Sequence, residues 1–239
     1  MFSTRKFFIS LVTAGLVFST LAAVASAQTR GAAQSQPPVK APINIAILIQ
    51  DDLVSQVSNE LGVTAEFIRS LPSGSRVMVG YITAGSLQVR QPFTTDLNSA
   101  ARSLRMPYSS TSASPYNPYV EVIEALRHFE ASGSGRNAIL LVSDGLDDSR
   151  GFDSTSAGRT LDLGRAIHEA KARNVAIYSF YAPAVGLTSR SRLAASYGQS
   201  SLNRVSAETG GRAFFQGTSG FVTFDPYFKQ LRQALNQVY

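Results

Sequence analysis

Apolar residues fall into two alternating patterns from residue 43 to the end of the chain. Short and nearly continuous apolar runs, typical of strands buried on both faces of a parallel sheet, read INIAILIQ, RVMVGYIT, NAILLVS and VAIYSFYA. Between and after these runs, apolar residues recur at the three- and four-residue spacing of amphipathic helices. This spacing predicts helices at residues 53–71, 96–104, 118–129, 160–173, 200–209 and 225–238.

Two shorter segments complete the predicted sheet. SLQVRQPFT follows RVMVGYIT after only Ala84 and Gly85, a link that joins antiparallel strands and is too short for a crossover helix. RAFFQ predicts a last short strand, whereas LTSRSRLAASYGQS is expected to be an unusually long connection. The order of elements predicts an α/β fold, a three-layer α/β/α sandwich with a mostly parallel central sheet and one antiparallel edge strand.

The first 42 residues differ from this pattern. Two basic residues and an interrupted apolar run lead to Ala25-Ser26-Ala27, the small-residue motif of a signal-peptidase site. Residues 1–27 are therefore predicted to be a signal peptide, with a retained membrane anchor as the alternative. Residues 28–42, rich in Gln, Ala and Pro, predict a disordered linker. One domain is left, at residues 43–239.

Composition narrows the class of protein. The chain has no Cys, which in an exported protein fits a bacterial periplasm or the cell exterior and excludes a thiolate nucleophile. The net charge of +6 falls by two, to +4, once Arg5 and Lys6 are removed with the signal peptide. No run of basic residues is interleaved with aromatic ones, so nucleic-acid binding is not expected. No membrane contact is expected after signal cleavage, because no later apolar run reaches about 20 residues.

Acidic side chains follow two of the predicted parallel strands. Asp51 and Asp52 come directly after INIAILIQ, and Asp144 comes directly after NAILLVS. A polar loop at residues 109–117 enters a helix at the same end. Ligands of an open parallel sheet bind beyond the carboxyl ends of its strands, and oxygens of Asp, Ser and Thr suit Mg²⁺, Mn²⁺ or Ca²⁺. The sequence therefore predicts that Asp51 and Asp144 approach each other at a candidate metal site.

Three segments carry a resemblance to a known family: SGRNAILLVSDGLDD, LNRVSAETGGRAFF and FDPYFKQLRQALNQVY. They resemble, in turn, the strand with its Asp-Gly segment, the helix with its Gly-Gly turn and final strand, and the last helix of a von Willebrand factor type A (VWFA) domain. The bacterial secreted, VWFA-related kind is the most similar. The resemblance covers residues 43–239. It implies a Rossmann-like sandwich and a metal-ion-dependent adhesion site, where a divalent ion with an open position takes an acidic residue of a partner protein.

In that family the site consists of Asp-x-Ser-x-Ser after the first strand, a Thr or Ser ahead of the third-helix region, and an Asp after the fourth strand. The resemblance implies Asp51 as the first Asp, Ser55 as the second Ser and Asp144 as the distal Asp. The loop ligand implied is Ser114. Thr111 and Ser112 are the alternatives at that position.

One position departs from the family pattern: Leu53 stands where the first Ser is expected. Mg²⁺ requires nearly octahedral coordination by oxygen ligands. An aliphatic side chain in place of one of these ligands leaves the ion with one oxygen contact too few. Mg²⁺, Mn²⁺ or Ca²⁺ is therefore expected to bind weakly, at millimolar level, or not at all. On this interpretation Leu53→Ser strengthens the binding.

Other interpretations of these residues stay open. Asp51 and Asp52 at a helix start can satisfy free N–H groups as a cap, without any metal. A strand that ends in two Asp is also typical of an Mg²⁺-dependent phosphoryl-transfer or hydrolase domain, although the chain has no Gly-x-Ser-x-Gly, phosphate-binding loop or His-Glu-x-x-His motif. A third alternative is an inert scaffold. The sequence favours an exported, non-catalytic module that binds another protein or a surface polymer.

Overall fold

A computed structural model describes residues 41–109, 116–130, 135–152, 160–217 and 222–237 of the protein. In these residues a six-stranded sheet lies between two layers of helices. The strands are β1 (Ile43–Gln50), β2 (Arg76–Thr83), β3 (Ser86–Thr94), β4 (Arg136–Ser143), β5 (Val175–Tyr181) and β6 (Ala213–Phe214). The helices are α1 (Leu61–Arg69), α2 (Leu97–Arg102), α3 (Pro118–Leu126), α4 (Leu161–Ala172), α5 (Leu187–Arg190), α6 (Arg192–Glu208) and α7 (Asp225–Gln237), with a 3-10 helix (Ser55–Glu60) before α1.

The strand order is β3-β2-β1-β4-β5-β6, and every neighbouring pair is parallel except β2 and β3. The antiparallel strand predicted from the two-residue Ala84-Gly85 link is therefore the edge strand β3. The chain leaves β1 toward β2 on one side and returns to β4 on the other, so the direction of strand order reverses between β1 and β4. The predicted sandwich, with its mostly parallel sheet, is confirmed.

Alternating residues of β1 explain the two layers of core. Ile45, Ile47 and Ile49 pack on one face of the sheet with α1, α2 and α7, whereas Ala46 and Leu48 pack on the other face with α3, α4 and α6. Because side chains of a strand point alternately to opposite faces, a strand covered on both faces must be apolar at every position. This is the reason that INIAILIQ is a continuous apolar run.

Several helix starts follow from single capping residues. Asp96, Asn117, Thr160 and Ser191 each accept a hydrogen bond from a backbone N–H of the first turn of α2, α3, α4 and α6 respectively. The predicted helix at residues 53–71 is present only from the 3-10 helix onward.

The expectation of a long connection at LTSRSRLAASYGQS is wrong. This stretch forms α5 and the first half of α6, and the helix predicted at residues 200–209 starts at Arg192. Most of the buried residues in the first half of α6 are small (Ala194, Ala195 and Gly198), and Gly198 comes close to the backbone of Asp144 after β4. Small residues give a weak hydrophobic signal, and the sequence pattern therefore missed the helix.

The predicted signal peptide (1–27) and all but two residues of the predicted linker (28–42) lie outside the described residues. Of those two, Ala41 accepts a hydrogen bond at its carbonyl from Arg136 Nη2 at 2.9 Å. Among the described helices, none is both long and apolar enough to cross a membrane.

Candidate functional site

The carboxyl ends of β1 and β4 lie side by side and are joined by the side chain of Gln50. Ile49 pairs with Val142 in the sheet, so the residues that follow meet at the same edge. Gln50 Oε1 accepts hydrogen bonds from Ser143 Oγ at 2.5 Å and from the Asp144 backbone N–H at 3.3 Å. Gln50 Nε2 donates to Asp52 Oδ1 at 2.8 Å. One amide thus connects the two acidic segments that the sequence singled out.

The carboxylate of Asp51 is bound to an arginine. Arg105 Nη1 donates to Asp51 Oδ1 at 2.6 Å and Arg105 Nη2 donates to Asp51 Oδ2 at 2.8 Å, the bidentate geometry of a strong ion pair. The backbone N–H of Tyr108 also donates to Oδ1, at 3.1 Å. Only 3% of Asp51 is exposed, and the hydrogen bond to its carboxylate raises the pKa of Arg105. A buried carboxylate is therefore paired here within the protein itself.

Arg105 is held between two tyrosine rings. Its guanidinium carbon lies 4.0 Å from the ring centroid of Tyr81 and 4.3 Å from that of Tyr108. The Tyr81 hydroxyl also fixes the backbone of Arg105, since it donates to the Arg105 carbonyl at 2.6 Å and accepts from its N–H at 2.7 Å. The contacts with the two rings and the two hydrogen bonds to Asp51 leave the guanidinium little freedom.

Asp144 is buried and is held by the region that the sequence pattern missed. Its Oδ2 accepts from Thr188 Oγ1 at 2.9 Å, and its Oδ1 accepts from the backbone N–H of Leu146 at 3.1 Å. Thr188 belongs to α5. Burial raises the pKa of Asp144 to about 6 in spite of these hydrogen bonds. Both carboxylate oxygens of Asp144 therefore have partners in the fold.

Asp52 interacts electrostatically with Asp144. Burial and the negative charge of Asp144 raise the pKa of Asp52 to about 7, while the hydrogen bond from Gln50 opposes the shift. Asp148, whose Oδ1 accepts from the Tyr116 backbone N–H, also has a raised pKa because of burial. Like charges that are close favour a proton on one member. Near neutral pH, Asp52, Asp144 and Asp148 together therefore carry less negative charge than three ionised carboxylates would.

Solved structures of other proteins share this arrangement of strands and helices. An aerotolerance-related membrane protein from Bacteroides fragilis is 15% identical, with 83% of this chain and 100% of that chain covered and a TM-score of 0.53. A BatB protein from Bacteroides thetaiotaomicron is 16% identical, with 82% and 97% covered and a TM-score of 0.54. A von Willebrand factor type A protein from Catenulispora acidiphila is 15% identical, with 82% of this chain and 42% of that chain covered, also at 0.54. The chain has a von Willebrand factor type A-like fold.

Identities this low show the fold and carry nothing about ligands or activity. The sequence itself matches no protein-family model and no curated protein. What the site of this type A-like domain can do therefore has to come from its own residues.

The candidate ligands of the type A-like site do not assemble into a ready metal centre in the described residues. Asp51 and Asp144 follow neighbouring strands, as predicted, but both oxygens of each carboxylate already accept hydrogen bonds. Ser55 is exposed at the start of the 3-10 helix. Ser114, with its alternatives Thr111 and Ser112, lies outside the described residues. No group of three His, Cys, Asp or Glu that suits a metal occurs in the part of the chain that the structure describes.

The side chain of Leu53 lies in the hydrophobic core. It is fully buried in the same cluster as Val57, and its backbone forms a bridge with Ala184 in the segment after β5. The backbone N–H of Val54 donates to the Pro183 carbonyl at 3.0 Å, which fixes the same contact. The leucine therefore has a structural reason to be there that is separate from metal binding.

The simple helix-cap interpretation of Asp51 and Asp52 is wrong. Val54 is the N-cap of the 3-10 helix, and no side chain caps it. Asp51 binds Arg105 and the N–H of Tyr108, whereas Asp52 binds Gln50. The two carboxylates hold neighbouring loops together instead of starting a helix.

Two residues of the site escaped the sequence pattern: Arg105 and Thr188. Arg105 lies just after α2 and 54 residues from Asp51, so no local spacing connects them. Thr188 lies in the stretch expected to be a connection. The sequence did contain one indication of Arg105: it is a basic residue directly after a predicted helix, in a segment that returns to the carboxyl edge of the sheet.

Proposed function

We propose that this protein is an exported, non-catalytic binding module of the adhesion or scaffold kind, whose partner is another protein or a surface polymer. The binding surface is the carboxyl edge of the sheet around Asp51 and Arg105. The localisation proposed is the periplasm or the cell exterior. Metal plays at most a weak part, so the adhesion site is degenerate.

The observation that carries this proposal is the bidentate pair between Asp51 and Arg105. A carboxylate at this position would be the first ligand of a metal or the nucleophile of a phosphoryl-transfer enzyme. Here it is neutralised by a guanidinium that is itself fixed by two tyrosine rings. A nucleophile must be reachable by its substrate and activated, whereas Asp51 is 3% exposed and its described contacts are hydrogen-bond donors that withdraw electron density from it. The pair supports binding over catalysis.

Exposed side chains beside this pair supply a contact surface. Met106 is 66% exposed and Tyr108 is 71% exposed, and both adjoin Arg105 in the chain. Arg, Tyr and Met are enriched in protein interfaces, and Tyr and Arg are frequent among the residues that dominate binding energy. Because Arg105 and the backbone of Tyr108 are already fixed by Asp51, the surface loses little conformational freedom when it binds.

Metal binding in this proposal is weak. A Mg²⁺ ion at Asp51 would have to sit beside the positive charge of Arg105 or displace it, and Leu53 offers no oxygen. We propose a millimolar affinity or none, which corresponds to about 4 kcal/mol where a micromolar site has about 8 kcal/mol.

Comparison of bound proteins tests the proposal. The wild type and a Met106→Ser/Tyr108→Ser double variant are immobilised and exposed to the envelope fraction of the source cells, with Mg²⁺ and with EDTA. A Leu193→Ser variant is the matched control, because Leu193 is 53% exposed and lies on α6. Partners that are retained by the wild type and the control, but lost from the double variant, support the proposal.

Three results would contradict it. If the wild type, the double variant and the control retain the same set of proteins, the carboxyl-edge surface is not the binding surface. Retention that disappears in EDTA would mean a functional metal site. Steady turnover of generic phosphatase or esterase substrates, abolished in Asp51→Asn, would replace the binding module with the phosphoryl-transfer or hydrolase alternative.

A further inference from the structure

The outer surface of α3 and α4 forms a groove that the carboxyl-edge site does not use. The groove has a volume of about 580 Å³, and its lining includes three arginines, Arg127, Arg165 and Arg173. Leu161 and Ile123 line it as well, together with His168 and one carboxylate, Glu169. The groove follows the length of α4, whose 12 residues span about 18 Å at the rise of an α-helix.

The two helices of the groove are parallel neighbours with aligned starts. Asn117, the N-cap of α3, donates from Nδ2 to Asp162 Oδ2 in the first turn of α4 at 3.0 Å. Leu161 is therefore at the end of the groove that lies toward the carboxyl edge. Arg127 and Arg173 cap the opposite ends of α3 and α4. The groove has the exposed apolar side chain of Leu161 at one end and two arginines at the other, with Arg165 one turn from Leu161.

The positive charge of this groove is only partly neutralised. Arg165 pairs with Asp162 of its own helix at 3.1 Å, and Arg173 pairs with Glu169 at 2.9 Å. No carboxylate of the described residues pairs with Arg127. The Arg165 side chain is 69% exposed in its pair, and exposed pairs of this kind contribute little. A partner can therefore recruit these guanidinium groups at small cost.

The end of the groove at Leu161 exposes an apolar side chain that a partner could cover. Leu161 is 77% exposed, the largest exposed fraction among the large apolar side chains of the described residues. It lies in the first turn of α4, with the half-buried Ile123 of α3 lining the same groove. Apolar side chains beside spaced positive charges complement an amphipathic segment that has an apolar stripe and acidic flanks.

The spacing of the charges argues against a small anion. Arg165 and Arg173 are eight residues apart on α4, which places them about 12 Å apart along the helix axis. A single phosphate spans only a few ångströms and cannot reach both. Carboxylates two turns apart on a partner helix, about 11 Å along its axis, can.

We propose that the groove between α3 and α4 binds an acidic amphipathic helix of a partner protein, with its apolar end toward Leu161 and its acidic end toward Arg127 and Arg173. This surface is separate from the carboxyl-edge surface and does not rest on the function proposed for it. The two surfaces can therefore fail or succeed independently.

A designed peptide tests the groove. The probe is a fluorescent helical peptide of about 18 residues with a leucine stripe at its start and glutamates toward its end, and its binding to the full chain is followed by anisotropy. A peptide of the same composition in scrambled order reports non-specific attraction. We expect the designed peptide to bind more tightly than the scrambled one, and to weaken as ionic strength rises to about 0.15 M, where surface charges are screened within about 8 Å.

Matched charge reversals locate the binding. Arg127→Glu/Arg165→Glu is expected to weaken the designed peptide at least about tenfold, roughly 1.4 kcal/mol. Arg69→Glu/Arg102→Glu makes the same change in net charge at exposed positions on α1 and α2, across the sheet, and is expected to change the affinity less than about twofold. Leu161→Ser is expected to weaken binding as well, because the apolar end then has no anchor.

Four outcomes would overturn the proposal. These are no binding of the designed peptide, equal binding of the scrambled peptide, equal weakening by both double variants, or unchanged binding in Leu161→Ser. Displacement of the peptide by inorganic phosphate at low millimolar concentration would also overturn it, since the groove would then be a site for small anions. Loss of partners from Met106→Ser/Tyr108→Ser has no bearing on these results.

Discussion

Arg105 and Asp51 form a closed ion pair at the carboxyl edge of the sheet, with two hydrogen bonds of 2.6 and 2.8 Å and side chains that are 18% and 3% exposed. The pair connects the end of β1 to the segment after α2. It also places a protein cation on the carboxylate that the family resemblance implies as a metal ligand. The first prediction follows from this competition.

Arg105→Ala is expected to lower the free energy of unfolding by about 3–5 kcal/mol, because the variant leaves the buried carboxylate of Asp51 unpaired. The carboxylate is then free to bind a cation. We expect millimolar Mg²⁺ to restore part of the loss in Arg105→Ala and to have almost no effect on the wild type. Urea unfolding with EDTA and with Mg²⁺ measures both effects.

Arg102→Ala is the control for this experiment. Arg102 is exposed in the last turn of α2, three residues away in sequence, and its removal is expected to change stability by less than about 0.5 kcal/mol. A loss of stability in Arg105→Ala as small as that of Arg102→Ala would mean that the ion pair contributes nothing. Strong Mg²⁺ stabilisation of the wild type would mean that Arg105 does not compete with metal.

Leu53→Ser is now expected to destabilise the protein instead of improving metal binding. Leu53 is fully buried, and replacing it removes apolar contacts and buries a hydroxyl, which costs about 2–5 kcal/mol by analogy with buried leucine truncations. Isothermal titration with Mg²⁺ and Mn²⁺, together with urea unfolding, decides the matter. Ser55→Ala, at an exposed position of the implied ligand set, serves as the control and is expected to be near neutral in both measurements.

Micromolar binding by the wild type in that titration would show that the ligand set was misplaced. Tighter binding by Leu53→Ser with unchanged stability would show that residue 53 faces the metal position after all.

The sheet was predictable because its burial repeats in the sequence. A strand covered on both faces must be apolar over most of its length, and β1, β2, β4 and β5 are; the Ala84-Gly85 link also set the direction of β3. Helix α6 was predictable only in its second half, because Ala194, Ala195 and Gly198 bury little apolar area. Its close packing depends on small volume, which hydrophobic periodicity does not report.

The site was predictable in place but not in chemistry. The carboxyl ends of β1 and β4 do meet, because strand order reverses there, and this follows from general rules of parallel sheets. The partners of the carboxylates do not follow, since Arg105 and Thr188 reach Asp51 and Asp144 from distant segments. Such long-range polar pairs depend on how loops return to the sheet, and no local pattern encodes them.

Gly198→Ala is expected to disturb Asp144. A methyl group at Gly198 would overlap the backbone carbonyl oxygen of Asp144, and its nearest neighbours are backbone atoms of Asp144 and Leu146, which cannot rotate away as a side chain can. We expect a loss of about 1–3 kcal/mol or more in urea unfolding. The matched control is Gly62→Ala in α1, where nothing lies within 4 Å of the added carbon and helix propensity predicts a gain of up to about 1 kcal/mol.

A stable Gly198→Ala variant would contradict the close contact between α6 and the Asp144 segment. If both glycine variants gain stability, helix propensity alone governs these positions. A loss in both would mean that the loss in Gly198→Ala does not report the contact with Asp144 specifically, since Gly→Ala acts on the unfolded chain in the stabilising direction.

Export is predicted to remove residues 1–27, since Ala25-Ser26-Ala27 has the pattern of a signal-peptidase site. N-terminal sequencing of the exported product is expected to begin at Gln28. Substitution of Ala27 by a large residue is the control and is expected to slow the cleavage. A product that keeps Met1 and fractionates with membranes would mean that the segment is an anchor.

Glu121 makes stability fall as pH rises. It is 3% exposed in the first turn of α3, its Oε2 has no hydrogen-bond partner among the described residues, and burial raises its pKa from 4.5 to about 7. Between these two values the folded protein holds a proton that the unfolded chain has released. Stability is therefore fully present below about pH 4.5 and declines through pH 7, by up to about 3 kcal/mol at 1.36 kcal/mol per pKa unit.

Glu121→Gln is expected to remove this part of the pH dependence and to be more stable than the wild type at pH 8. Urea unfolding at pH 4.5, 6 and 8 measures the difference between the two proteins, which is expected to grow with pH. Asp52 and Asp144 also have raised pKa values, so a decline of the same sign is expected to persist in the variant, at least as large as the part that Glu121 contributes. Glu66→Gln, at an exposed position of α1 on the other side of the sheet, is the control. A difference between Glu121→Gln and the wild type that is constant across pH would show that the Glu121 carboxyl does not titrate differently in the folded protein, and that the variant acts through packing alone.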